Sequence, residues 1–206
     1  MAVFPLLPFE EKFKSQGDYQ ARINAIAQNL WNGKIGAYDF DNLMRVAIEY
    51  GIRGAWEAGL KEFNLSLADM TMEERAAMLD AIYRESSYIA GLRNYILAHN
   101  KASGFKLSSL QIRLGMWGNR WKDIVNQARL SASNNAPLTW VYGDTISHCG
   151  DCSRVAGRTY RAKTWERWGW RPQSPRLECK GIQCKCELQA LGNKPNKGRP
   201  PSLSGG

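Results

Sequence analysis

The sequence predicts a mainly α-helical domain followed by a small α+β zinc-binding module with short strands, and three observations predict it. Apolar residues recur at helical spacing from about residue 18 to residue 128. All five cysteines lie between residues 149 and 186, in two clusters. A run of β-branched and aromatic residues, Leu138-Thr-Trp-Val-Tyr-Gly143, leads into the first cluster and reads as a strand. The organisation expected is a helical docking or scaffold domain over 1–135, a cysteine-rich zinc-binding module over 136–191 and a flexible basic tail over 192–206.

Residues 1 to 17 place Pro5 and Pro8 among Phe4, Leu6, Leu7 and Phe9 and read as an extended apolar arm that runs into a helix. With Asp18 as its N-cap, a short amphipathic helix carries Ile23, Ile26, Ala27 and Leu30 until Gly33 stops it. A longer stripe follows through Phe40, Leu43, Met44, Ala47, Ile48, Ile52, Ala55, Trp56 and Leu60, where Gly51 and Gly54 mark close packing or a kink. Thr71-Met-Glu-Glu74 has the order of a capping box. It opens one helix bearing Met78, Leu79, Ile82, Ile89, Ile96 and Leu97, which ends near Asn100. The fourth helix begins near Ser108 and repeats Leu110, Leu114, Trp117, Trp121, Ile124, Val125 and Ala128. Such stripes enclose a core, and no catalytic constellation assembles among them.

The cysteines carry the chemistry. His148-Cys149-Gly-Asp-Cys152 is answered by Cys179-Lys-Gly-Ile-Gln-Cys184-Lys-Cys186. A C-x-x-C turn puts two sulfurs on one side of a tight loop, as two corners of a zinc tetrahedron, and the second cluster supplies the others. Cys149 and Cys152 form the first pair and Cys184 joins them. Cys179 and Cys186 compete for the last place, with His148 behind them. Structural zinc can contribute on the order of 10 kcal/mol to the folding of a core-poor segment. A disulfide with an odd thiol left over, or buried free thiols, are the competing readings. The opening residues lack a basic stretch, a long apolar run and a cleavage site, so a reduced cytosolic site is expected over a disulfide.

Around the module, Arg158-Thr-Tyr-Arg-Ala reads as a second strand and Thr164-Trp-Glu-Arg-Trp as a helical turn. Pro172 and Pro175 then hold the chain extended towards Cys179. The basic residues gather here too. Residues 137–206 hold twelve Lys and Arg against five Asp and Glu, whereas residues 1–136 hold sixteen against fourteen. Arg154, Arg158, Arg161, Arg167 and Arg171, with Trp168 and Trp170, are candidates for contact with nucleic acid or an acidic partner. In the rival reading the tryptophans cover the zinc site and the arginines face solvent. No apolar run approaches the roughly 20 residues of a membrane helix, so a soluble protein is expected.

Enzymatic zinc chemistry finds little to work with. The chain has two histidines, His99 and His148. A zinc deaminase needs an H-x-E segment beside its cysteines, and His148-Cys-Gly lacks the glutamate. A knuckle nuclease needs a histidine base between residues 153 and 186, where there is none. The expectation is a protein without catalytic activity.

Trp140, Asp144, His148-Cys-x-x-Cys152, Gly157, Trp165, Gly169, Pro172, Pro175 and Cys179-x-Gly-x-x-Cys184-x-Cys186 together resemble the C-terminal module of the Mu F-like minor head proteins, the phage head morphogenesis family. The resemblance covers the last third of the chain; the helical part matches in general character only. It implies a minor structural protein of a tailed-phage head, present in several copies in the virion, inside the head or at the portal vertex. Its implied partners are the portal protein, the major capsid protein and packaged DNA, with the host cytoplasm as the place of assembly. Many members carry histidine where this chain has Cys179, and many are fused to toxin-like enzyme domains that have no counterpart here. The alternative readings are a zinc-containing DNA- or RNA-binding protein and, third, a nuclease or toxin-like protein.

Overall fold

The computed structural model describes residues 13–145, 147–181 and 184–204. Most of the apolar arm expected at the N-terminus lies outside them. Five longer helices build the first part of the chain: α1 (Gln16–Trp31), α2 (Ala37–Lys61), α3 (Met72–Ser86), α4 (Ile89–Ala98) and α5 (Leu107–Ala132). The module follows as β1 (Pro137–Val141), α6 (Gly150–Val155), β2 (Thr159–Arg161), α7 (Ala162–Arg167) and β3 (Glu187–Gln189). No described helix is long and apolar enough to cross a membrane.

The helical stripes meet in one core. Ile23, Ile26 and Leu30 of α1, Phe40, Met44, Ile48 and Trp56 of α2, and Leu110, Leu114, Trp117, Trp121 and Ile124 of α5 are all buried there. The α2 stripe runs unbroken past both glycines. Gly51 is the site where the Tyr19 ring lies against the helix, and Gly54 admits the Phe13 carbonyl and Trp121. Close packing, with the helix continuous, is what these glycines serve.

Three local expectations are corrected. The N-cap of α1 is Ser15, whose hydroxyl accepts the Asp18 amide at 3.1 Å, while Asp18 sits in the first turn. The helix opened by Thr71 is two helices: the capping box forms as expected, but the chain turns at Ser87 and Tyr88 before α4. Leu79 and Leu97 lie off the buried faces of α3 and α4, which are formed by Met78 and Ala81 and by Ile89, Leu92 and Ile96, and are 54% and 43% exposed.

The second core belongs to the module. β1 is the central strand of an antiparallel sheet ordered β2-β1-β3, with Thr139 opposite Thr159 and Trp140 opposite Leu188. Trp140, Trp165, Trp170, Leu138, Tyr160, Leu177 and Leu188 bury against one another and against Cys152, Cys184 and Cys186. No linker separates the two parts. Asn134 and Asn135, with φ of 45° and 62°, turn the chain directly from α5 into β1, a left-handed conformation that asparagine tolerates. Leu130 of α5 is buried in the module's core, and Phe63 packs against both cores.

The expectation of a flexible tail is also corrected. Residues 192 to 204 run across the module as a strap. Asn196 pairs with the free edge of β2 through its amide to the Thr159 carbonyl, at 2.7 Å, and its side-chain oxygen to the Thr159 amide, at 2.6 Å. The Trp170 indole donates to the Pro201 carbonyl at 2.8 Å, Leu203 packs on the core, and the Ser204 amide donates to Asp151 at 3.0 Å. Such a composition cannot fold alone, but here the module supplies a strand edge and apolar surface.

Two measurements check this packing. A Cβ on Gly59 would stand 2.7 Å from both Ala128 Cβ and the Val125 carbonyl of α5, whereas Gly115 has open space around it. Gly59→Val is expected to lower unfolding free energy by about 1–3 kcal/mol, and Gly115→Ala to raise it by about 0.5–1 kcal/mol, both read from urea denaturation. The second concerns Glu85, 4% exposed, with Arg84 and Arg120 each 3.6 Å away. Burial pushes its carboxyl above the ordinary range despite the pull of Arg120 and Arg84. An acid that holds its proton more tightly when folded costs stability while ionised, and the cost disappears as pH falls through its raised value. Glu85→Gln should therefore flatten part of the stability gained as pH falls from neutral towards the ordinary carboxylate range; parallel profiles for the two proteins would contradict it.

Candidate metal centre

Three segments deliver the cysteines to one place. Cys149 caps α6, its sulfur 3.5 Å from the Cys152 amide, so the C-x-x-C turn closes as a helix start and directs Cys152 inward. Gly150 and Asp151 are strapped to the second cluster: the Gly150 amide donates to Glu178 at 2.7 Å, and the Glu178 amide to Asp151 at 2.8 Å. The loop before β3 brings in Cys184 and Cys186. The sulfurs of Cys152, Cys184 and Cys186, all buried, lie within 4.8 Å of one another, with 3.9 Å between Cys152 and Cys184.

This group can hold a metal ion. Sulfurs at the corners of a tetrahedron about 2.3 Å from its centre are about 3.8 Å apart, close to the separation found here. His148 stands next to the group with Nδ1 3.8 Å from the Cys186 sulfur, its ring stacked on Tyr142 at 3.7 Å. Cys149 and Cys179 are half-buried beside it, outside the group of three. Of the five expected ligands the structure thus gathers Cys152, Cys184 and Cys186, and in the competition between Cys179 and Cys186 it is Cys186 that lies with them.

Electrostatics explain why a cation suits the group. Hydrogen bonds from the Cys152 and Cys186 thiols pull the Cys184 thiol well below its ordinary range. Cys152 is pushed up by donating to Cys184 and by its contact with Cys186, with burial adding to the rise. Cys186 is relieved by Cys152, but Cys184 and burial outweigh that and raise it. Burial chiefly pushes Cys179 up to about 12. A divalent ion held among the three sulfurs would favour the ionised form of each.

The supporting shell was not legible in the sequence. Gln173, at φ 60° and buried, donates through its side-chain amide to the carbonyls of Cys184, at 3.1 Å, and Cys186, at 2.6 Å, and lies 3.7 Å from the Cys184 sulfur. Its oxygen accepts from Asn126 of α5 at 2.7 Å, and Asn126 in turn accepts from the Leu188 amide at 2.9 Å. The amide of Gly143 donates to the Cys186 sulfur, at a place where the Lys185 backbone leaves no room for a Cβ. Asp151, fully buried, collects the Glu178 and Ser204 amides and Arg154. A glutamine between two prolines carries no local signal of this role; an aspartate inside the C-x-x-C turn does, because a buried charge there needs several donors.

The basic and aromatic candidates separate. Trp170 is 1% exposed and bonded to Pro201, so it is core and cannot stack on a base. Trp168 is half-buried against the same core, with the Arg199 guanidinium 5.3 Å from its ring centre. Arg154 is committed to Asp151, and Arg171 to buried Asp123 at 2.7 Å. Arg158, Arg161 and Arg167 remain exposed. Compared with known proteins, the chain matches no family model, no curated protein and no solved structure.

Gln173→Met keeps length and removes the amide. It would deprive the Cys184 and Cys186 carbonyls of their Gln173 donor and the Asn126 amide of one of its two acceptors, at about 1–3 kcal/mol each, and weaken metal binding about 10–100-fold in competition with a chromogenic chelator. Unaltered affinity would show that Gln173 does not position the loop.

Proposed function

We propose that this protein is a minor structural component of a tailed-phage head, without catalytic activity, whose C-terminal module is fastened by a structural zinc ion. The observation that carries the reading is the convergence of the motif. Positions scattered from 140 to 186 in the resemblance to the head morphogenesis family meet here in one small module: Trp140 and Trp165 in its core, Pro172 buried beside Gln173, and Cys152, Cys184 and Cys186 at its centre. A motif that packs around one site is a better basis for homology than one spread over a surface. The helical part offers faces for docking to portal or capsid protein, and Leu79, Tyr83 and Met72 of α3 are exposed apolar residues on it.

Zinc is the ion favoured by the donor set. Three thiolates with a cysteine or imidazole as fourth donor suit a soft-to-borderline cation that prefers a closed tetrahedron. Such an ion supplies no chemistry here beyond holding its ligands. Purified under reducing conditions, the protein should carry one zinc per chain by elemental analysis, lost in Cys152→Ser, Cys184→Ser and Cys186→Ser. Whichever of His148→Ala, Cys149→Ser and Cys179→Ser also loses it identifies the fourth ligand. Strong chelator should abolish the near-ultraviolet signal of the packed tryptophans while leaving most helical signal intact; full retention of that signal without metal would overturn the zinc reading. For the head assignment, mass spectrometry of purified particles of the phage that encodes the chain should find it in the virion. Its absence, with normal heads when the gene is deleted, would overturn the assignment.

A DNA- or RNA-binding protein acting outside a virion is the second reading. The observation in its favour is the set of exposed cations on the module.

A further inference from the structure

The module's cations are arranged in a way that the resemblance does not imply. Segment 158–168 carries Arg158, Arg161, Lys163 and Arg167 with one acid, Glu166, and segment 193–204 carries Lys194, Lys197 and Arg199 with none. The strap lays the second segment along the first. Asn196 is bonded to Thr159 on both backbone groups, Asn193 Nδ2 donates to Thr139 at 3.2 Å, and the Tyr160 hydroxyl joins the Arg199 carbonyl, at 3.4 Å, to the Arg158 guanidinium, at 3.5 Å. Arg199 extends over Trp168 at the end of α7.

The two adjoining segments thus carry seven exposed cations and one carboxylate, and among the described residues none of the seven forms a salt bridge. Other arginines of the module behave differently: Arg154 and Arg171 are each spent on a buried aspartate. The bonds that pin the strap beside these cations are neutral ones from asparagine, tryptophan and tyrosine, and the charged contacts of the strap, with Asp151 and Arg154, fall on Ser204 at its far end. Like charges are therefore drawn together with one carboxylate, Glu166, against seven cations, and a partner of opposite sign gains what the fold leaves uncompensated.

We infer that the face formed by the strand edge of β2, the end of α7 and the 193–204 strap binds the phosphate backbone of duplex DNA without reading its sequence. Four of the seven cations are arginines, whose planar forks pair with phosphate oxygens two at a time. Stacking on Trp168 restricts Arg199 before any ligand arrives. A duplex presents one negative charge per roughly 1.7 Å of axis, so a row of cations meets phosphates in any register. An acidic protein would have to match the row residue by residue. The face holds no free aromatic ring for unstacked bases, since Trp170 is buried and Trp168 is covered by Arg199, which disfavours single strands.

This inference stands apart from the head assignment, since a virion protein can lack the site and a non-virion protein can possess it. The test is fluorescence anisotropy with a labelled 30-base-pair duplex and zinc-loaded full-length protein, titrated between about 50 and 300 mM salt. Log affinity should fall linearly with log salt, and Arg158→Ser with Lys197→Ser and Arg199→Ser should make the slope shallower by roughly 2–3 and weaken low-salt binding tenfold or more. Lys34→Ser with Arg45→Ser, on exposed sites of the helical part, should change neither. If the triple variant loses zinc or fold, Lys194→Ser with Lys197→Ser is read instead, with a slope change of roughly 2. Three results would overturn the inference: affinity weaker than about 10⁻⁴ M at physiological salt, an unchanged slope in the module variants, or equal or tighter binding of polyglutamate of matched charge. The last would assign the face to an acidic protein.

Discussion

The bond between Asn126 and Gln173 is the constraint on which the two halves of this molecule depend. Asn126 belongs to the longest helix described, where its amide satisfies the Lys122 carbonyl and the Gln173 oxygen, while its own oxygen accepts from the Leu188 amide of β3. Gln173 passes the connection to the carbonyls of Cys184 and Cys186. Two side-chain amides thereby set the position of the sulfur-bearing loop relative to the helical core. The bonds from Leu188 through Asn126 and Gln173 to the two cysteine carbonyls are all buried, which is the condition under which a partnered polar network confers rigidity.

Charged contacts reinforce the same junction. Arg129 reaches Glu62 of the helical part and Glu187 of β3, Lys122 also meets Glu187, and Arg171 closes on Asp123. Arg129 and Lys122 together hold the Glu187 carboxyl below its ordinary range against the effect of burial. These pairs join residues about 50 to 65 apart in sequence across a seam where α5 is shared by both cores. The result is a module that is seated on a helix, where a linker would have let it swing. A metal ion in the sulfur group would then stiffen one end of a continuous body.

The module also shows how a chain with few apolar residues after position 190 becomes ordered. Residues 192 to 204 bring one leucine and five prolines or glycines to a surface that already offers an unpaired strand edge, a tryptophan indole and the buried Asp151. The strap covers the edge of β2, which would otherwise invite pairing with another chain. It does so while carrying three cations over a face that is already basic.

What the sequence determined by itself was whatever is written in local spacing. Helical periodicity placed the buried faces of α1, α2 and α5, the Thr71 capping box placed the start of α3, and the density of β-branched and aromatic residues placed β1 and β2. The clustering of all the cysteines also located the candidate metal site, because chelating spacing is a short-range property. The tertiary structure decided what depends on distant neighbours. Leu79 stays outside the core because α3 packs through Met78 and Ala81, and Cys186 joins Cys152 where Gln173 holds its loop. Which arginines stay free is set by two buried aspartates, and the tail is ordered by a strand edge more than thirty residues upstream. Such outcomes are settled by the pairing of polar groups once burial has removed water as an alternative partner, and no local pattern of residues encodes them.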